Sequence, residues 1–205
     1  GNASLVVADA SSTSELIYGV IDHDMIDEPI AKALYIGIIH DTGVFQYTNT
    51  SPLTMKIAAD LIGYGFYFSK IIEETFYEKT YVQTQILGRA LLESVMFMDG
   101  KCIVSKISRE TMDFYGVDQK DLDGIVSQLK QIKGIDCAIF MSEVGFQEYK
   151  VSMRSSDRIN VAKIAALFGG GGHKKAAGCT MNGTYHDSIN NLSLQLAKQF
   201  VDTSV

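Results

Sequence analysis

Cysteine is scarce in this chain of 205 residues: Cys102, Cys137 and Cys179 are odd in number and far apart. That spacing excludes a disulfide framework and a zinc-ligand motif, and it points to buried thiols in a reducing compartment. Basic residues are outnumbered, 18 against 24 acidic, for a net charge of −6. A deficit of that sign excludes general coating of duplex DNA, which needs a basic face. It leaves room for a short anionic ligand in a local pocket, and it suits cation binding. No apolar run is long enough to span a membrane, and no signal-peptide pattern is seen, so a cytoplasmic location is expected. Proline occurs only at Pro29 and Pro52, and no low-complexity tract or internal repeat is present. The rest, 46% apolar and 20% charged, is ordinary globular material for one or two domains.

Glycine, by contrast, is concentrated. The stretch Phe168-Gly169-Gly170-Gly171-Gly172-His173-Lys174-Lys175-Ala176-Ala177-Gly178 places four glycines in succession. Without Cβ atoms such a backbone reaches positive φ cheaply and lets a ligand approach closely. Its N–H groups can converge as an anion nest, and a histidine and two lysines follow at once. The expected cargo is therefore a phosphate or a carboxylate. A flexible linker rarely carries such a His-Lys-Lys and a small Ala-Ala-Gly turn.

Along the chain, Leu5-Val6-Val7-Ala8 reads as a short strand, and Ser12 with Glu15 as a capping box that opens a helix through Leu16, Ile17, Val20 and Ile21. Asp22-His23-Asp24 falls where that helical pattern ends and reads as a solvated loop. Pro29 suits the first turn of a second, largely apolar helix. That helix runs into His40-Asp41-Thr42-Gly43, leaving Asp41 either poised over a cleft or at a plain turn. Ser51-Pro52 opens a third helix, which Gly63 and Gly65 end. From Phe66 to Met98 the pattern stays mostly helical. The character then changes. An Asp99-Gly100 turn joins two strands. Helices are expected at 109–115 and 119–132, and strands at 136–142 and 148–153. The last of these delivers Arg154 and Ser155; Asn160 caps the helix before the glycines, and a short strand at 179–181 and a helix at 188–200 close the chain. The class is α/β, with a small mixed sheet flanked by helices in the second half.

Gly170-Gly171-Gly172-His173, followed by Ala176-Ala177-Gly178, resembles the GGGH-x-x-A-A/S-G signature of the DHH-associated domain, the C-terminal half of many DHH-family phosphoesterases. Three further segments are similar to members of the nanoRNase/phosphoadenosine-phosphate phosphatase type, sometimes labelled exopolyphosphatase-related. They are Ala10-Ser11-Ser12-Thr13-Ser14-Glu15, Asp41-Thr42-Gly43 with Phe45, and Val151-Ser152-Met153-Arg154-Ser155. The resemblance implies residues 1–65 as the C-terminal part of a metal-binding DHH catalytic domain, 66–92 as a helical linker and 93–205 as the substrate-binding associated domain. It implies that Asp41 ligates Mn²⁺, with Mg²⁺ as the alternative, in a two-metal centre. Arg154, Ser155, Gly170, Gly171, Gly172 and His173 would hold the substrate's phosphate.

The implied reaction is hydrolysis of short oligoribonucleotides to mononucleotides, and of adenosine 3′,5′-bisphosphate to AMP. A nucleotide-binding module without catalysis, and a linear-dinucleotide or polyphosphate hydrolase, are the alternatives; a homodimer stays open. The family's upstream Asp-His-x-Asp motif, lone Asp and Asp-His-His triplet are absent here. Asp22-His23-Asp24 cannot stand in for the triplet, because it follows the Ala-Ser-Ser-Thr segment. A further segment before Gly1 is therefore expected.

Overall fold

Two units make up the fold, Gly1–Glu78 and Lys79–Val205, in a computed structural model that describes residues 4–7 and 9–202. The first unit is helical. Helix α1 (Thr13–Val20) starts on Ser12, whose Oγ accepts the Glu15 N–H at 3.1 Å. Glu15 does not complete the capping box. Its buried carboxylate accepts the hydroxyls of Ser11 and Thr54, each at 2.5 Å, and so ties the start of α1 to that of α3 (Pro52–Ile62). Between them runs α2 (Glu28–Asp41), capped by Asp27 with Pro29 in its first turn. Leu34, Tyr35, Ile38 and Ile39 of α2 pack on Ile57, Leu61 and Ile71, the last from α4 (Phe68–Ile72). Asp22, His23 and Asp24 are exposed; Asp22 caps a 3-10 turn at His23–Met25. The strand expected at 5–8 is not formed: Leu5, Val6 and Val7 are exposed without regular structure, and Ala8 lies outside the described residues. A strand needs a ladder partner, and the described strands all belong to the second unit.

That unit opens with α5 (Tyr81–Leu92), and the division between the units, at Glu78 and Lys79, falls within the helical stretch 66–92. A sheet follows, in the order β1-β2-β3-β4-β6-β5. Its strands are β1 (Val95–Phe97), β2 (Cys102–Ile107), β3 (Cys137–Gly145), β4 (Glu148–Ser155), β5 (Gly171–His173) and β6 (Ala176–Asn182). β2 and β3 are parallel, and every other pair is antiparallel. The parallel pair is connected through α6 (Arg109–Tyr115) and α7 (Ile125–Lys130). α7 is shorter than its apolar pattern suggests. Asp118 and Asp121 side chains accept backbone N–H groups in a local turn, and Gly124 sits at φ +91°, so residues 118–124 wind as turns.

One face of the sheet is sealed by α8 (Val161–Leu167) and α9 (Tyr185–Asp202). Val104, Ile139, Met141, Val151 and Met153 meet Val161, Ile164, Leu192 and Leu196 there. On the other face α5, α6 and α7 cover Ile103, Ile107, Ala138 and Phe140, which come from β2 and β3.

Candidate functional site

On that second face α7 also reaches β4, while the residues of β6 and β5 that share it are half-buried or exposed. β4 alternates strictly: Tyr149, Val151, Met153 and Ser155 are buried, while Glu148, Lys150, Ser152 and Arg154 are half-buried or exposed. Residues in register on neighbouring strands share a face. Arg154 pairs with Ala176, and Ala176 with His173. One row therefore reads Arg154–Ala176–His173, with its outer members two strand spacings, roughly 9.6 Å, apart at Cα. The next row reads Ser152–Gly178–Gly171, and beyond it Lys150 pairs with Thr180. The result is a floor of small residues with a guanidinium on one side and an imidazole on the other. Arg154 donates to Met153 O at 3.1 Å, and no carboxylate among the described residues forms an ion pair with it. A surface salt bridge thus does not account for it.

The four glycines do not form one loop. Gly169, at φ +73°, ends α8 in a Schellman motif: its N–H donates to Ala166 O at 3.2 Å, and that of Gly170 to Ala165 O at 2.9 Å. Those two N–H groups are therefore committed to the helix. Gly171 and Gly172 begin edge strand β5, which turns half of its N–H groups away from β6. A Cβ on Gly170 would lie 2.1 Å from Gly178 O, and one on Gly172 would lie 2.5 Å from Ala176 O, with φ at +141°. Packing against β6 explains both. Gly171 differs: its φ is not positive, and an added Cβ would meet nothing within 4 Å. The fold does not require glycine there; the open face does, if a ligand rests on the backbone.

Ser155 is buried on the opposite face. Its single hydroxyl proton is shared between Ile159 O (2.9 Å) and Lys174 O (3.3 Å), and its N–H donates to Lys175 O. It anchors the turn that follows His173. Lys175 of that turn pairs with Asp157 at 2.9 Å, and the bond holds the Asp157 carboxyl below its usual range.

Asp41 belongs to the first unit, as the last residue of α2, and is exposed. The chain behind it takes three left-handed residues in succession, Gly43, Val44 and Phe45, at φ +57°, +53° and +64°. For a β-branched valine that is a costly conformation. Val44 N–H to Ile39 O (2.7 Å), Phe45 N–H to Thr42 Oγ1 (3.1 Å) and the Asn49 amide to Asp41 O (3.1 Å) and Ser11 O (2.8 Å) hold it. Among the described residues no three His, Cys, Asp or Glu side chains converge as metal ligands. Asp41 alone does not fit a two-metal centre, which needs several ligands per ion. The cysteines are all buried. Burial raises the Cys179 thiol, and the hydrogen bond to Cys102 with burial raises Cys137, so these are poor nucleophiles.

Sequence reasoning singled out Arg154 and His173, but their shared row depends on β6 lying between them. Lys150 and Thr180 belong to no motif in the sequence, although the alternation Glu148 to Arg154 signals a strand with one solvated face.

The family model for the DHHA1 domain matches residues 99–203, from the first hairpin turn into α9. This chain belongs to the DHHA1 domain family. The open row and the glycines lie inside the matched DHHA1 region, which corresponds to a C-terminal part of a DHH protein. A Thermus thermophilus protein named bifunctional oligoribonuclease and PAP phosphatase NrnA is 26% identical over 202 residues, 97% of this chain and 60% of that protein. The Bacillus subtilis protein of the same name is 28% identical over 186 residues, 88% of this chain and 58% of that one. The crystal structure of an exopolyphosphatase-related protein from Bacteroides fragilis matches with a TM-score of 0.85 at 25% identity, over 93% of this chain and 57% of that one. The chain thus spans about 60% of the length of these relatives. Among the described residues no helix is long and apolar enough to cross a membrane.

Proposed function

We propose that this chain is the substrate-holding portion of a phosphoesterase that cleaves short oligoribonucleotides to mononucleotides and adenosine 3′,5′-bisphosphate to AMP. One observation carries the reading: Arg154 and His173 flank a floor of Ala176, Gly178 and Gly171 on one face of the sheet. A phosphate above Ala176 takes the guanidinium fork from one side and the imidazole from the other. Arg suits a bidentate phosphate contact better than Lys does. DHHA1 membership and the names of the relatives supply the substrate class. Asp41 would supply one carboxylate to Mn²⁺ or Mg²⁺, ions that carboxylates suit. The described residues provide no further ligands, so this chain's own groups are assigned to binding and orientation alone. That same observation favours a second reading for these residues by themselves, a module that binds nucleotides without cutting them.

The test is a four-protein cycle. Charge-assisted bonds of about 1.5–3 kcal/mol each make Arg154→Ala and His173→Ala each cost roughly tenfold to a hundredfold in affinity for a 5′-phosphorylated dinucleotide. The double variant loses less than the sum, since both grip one phosphate. The unphosphorylated dinucleotide is indifferent to all three. Equal losses for both ligands, or simple additivity, would remove the shared phosphate site.

A further inference from the structure

The row that holds Arg154, Ala176 and His173 is the last one on its side of the sheet. β4 stops at Ser155, β5 at His173, and β6 begins at Ala176. A ligand that lies along the strands from a phosphate above Ala176 therefore has one direction to take, toward the turn between β3 and β4. It first crosses Ser152, Gly178 and Gly171, of which only the serine has a side chain. That middle row is a trough. The row beyond it pairs Ser142 with Lys150 and Lys150 with Thr180. Lys150 shares the face of Arg154 and stands four residues from it, about 13 Å along the strand.

Lys150 is exposed, although α7 reaches β4. Among the described residues no carboxylate forms an ion pair with it. The Ser142 hydroxyl on its row donates to Gln119 Oε1 at 2.9 Å. Nearby carboxylates are directed elsewhere. Glu148, next on the same face, folds back on the turn: its Oε2 lies 2.6 Å from where a Cβ on Gly145 would stand. Glu143 accepts the Arg109 N–H at 3.0 Å. Asp118 and Asp121, close to Gln119 in the chain, accept the N–H groups of Lys120 and Asp118. We propose that Lys150, beside Thr180, is a second anion subsite that takes an internal phosphodiester of the oligonucleotide whose 5′-phosphate sits at Arg154. The ligand class rests on the proposed function; Lys150 adds a preference for length. The roles divide by chemistry. A rigid guanidinium fork suits a terminal phosphate held in one place, and a compact ammonium on a flexible stem suits a diester whose position varies. Two internucleotide steps cover the distance and one does not. A 5′-phosphorylated trinucleotide is therefore the shortest ligand that fills both ends.

The test compares 5′-phosphorylated di- and trinucleotides on the unaltered chain and on Lys150→Met, which keeps the stem and removes the charge. Titrations run at about 0.15 M salt, where screening over about 8 Å confines the effect to contact. Loss of one charge-assisted bond weakens the trinucleotide roughly tenfold and leaves the dinucleotide unchanged. A trinucleotide with an uncharged methylphosphonate at its second linkage loses as much on the unaltered chain, and Lys150→Met then costs nothing further. The same replacement at the first linkage leaves the Lys150 effect in place. Equal losses for di- and trinucleotide, or a Lys150 effect that survives a neutral second linkage, overturn the subsite. Arg154→Ala, run in parallel, separates the two failures. If it removes the advantage of the 5′-phosphate while Lys150→Met is silent on both ligands, only the subsite is wrong. If the unaltered chain binds neither ligand, the proposed function falls and the subsite with it.

Discussion

Adjacent glycines in β5 should respond in opposite ways to the same added methyl group. In Gly172→Ala the new Cβ would sit 2.5 Å from Ala176 O and 2.6 Å from Ala177 Cα, both backbone atoms of β6, with φ at +141°. Neither neighbour can swing aside. Strain at such a φ costs about 1–3 kcal/mol, and overpacking adds a similar about 1–3 kcal/mol. At about 2–4 °C per kcal/mol for a chain of this size, the melting temperature of the DHHA1 unit should fall by roughly 10 °C. In Gly171→Ala the Cβ meets nothing within 4 Å, and φ is not positive. Alanine costs less conformational entropy than glycine, by about 0.5–1 kcal/mol, so stability should hold or rise slightly. That methyl nevertheless stands on the open face beside Gly178, where the phosphate would rest on bare backbone. Affinity for a 5′-phosphorylated dinucleotide should drop at least about tenfold, the equivalent of one lost charge-assisted bond. Thermal unfolding and titration calorimetry on the two variants read both effects. A Gly171→Ala chain that binds as tightly as the unaltered one refutes the role of the floor. A Gly172→Ala chain with an unchanged melting temperature refutes the packing argument.

Ser155→Ala strips the bonds to Ile159 O and Lys174 O, and should cost about 1–3 kcal/mol in urea denaturation. It should weaken phosphate binding less than Arg154→Ala does; the reverse order would make Ser155 a ligand group in its own right. Asp41→Asn should change the free energy of unfolding in urea by no more than about 0.5 kcal/mol, as exposed substitutions do. In a complete protein carrying the remaining ligands it should abolish Mn²⁺-dependent hydrolysis. Undiminished turnover would reduce Asp41 to the end of a helix.

Helix α6 was legible to the residue, because Ser108 caps it and Gly116, at φ +65°, stops it. Both signals are local. α7 was overextended because its apolar period continues across a turn that Asp118 and Asp121 hold with their side chains. Leu5-Val6-Val7 has strand-forming side chains but no partner among the described residues, and propensity without a ladder gives no strand. The glycine run was legible as a place of close backbone approach. Its division between a helix cap and an edge strand was not, since that depends on where β6 returns. The same holds for the site. Arg154 and His173 are chemically conspicuous, yet their common row is a register between strands that are not consecutive in the chain.

Both rims of the sheet are three residues long, Val95–Phe97 and Gly171–His173, whereas β3 and β4 run nine and eight. Three pairings to a single neighbour, two of them made by residues without side chains, hold His173's strand in the ladder. Amide exchange there should report local opening far below the global unfolding free energy, while residues 138–142 and 149–153 should exchange only with the core. Any anion held by that rim must first find it closed, so its apparent affinity is scaled by the closed population. Bound ligand then returns the favour by slowing exchange at Gly171, Gly172 and His173, making this rim the part of the molecule whose order depends most on what it holds.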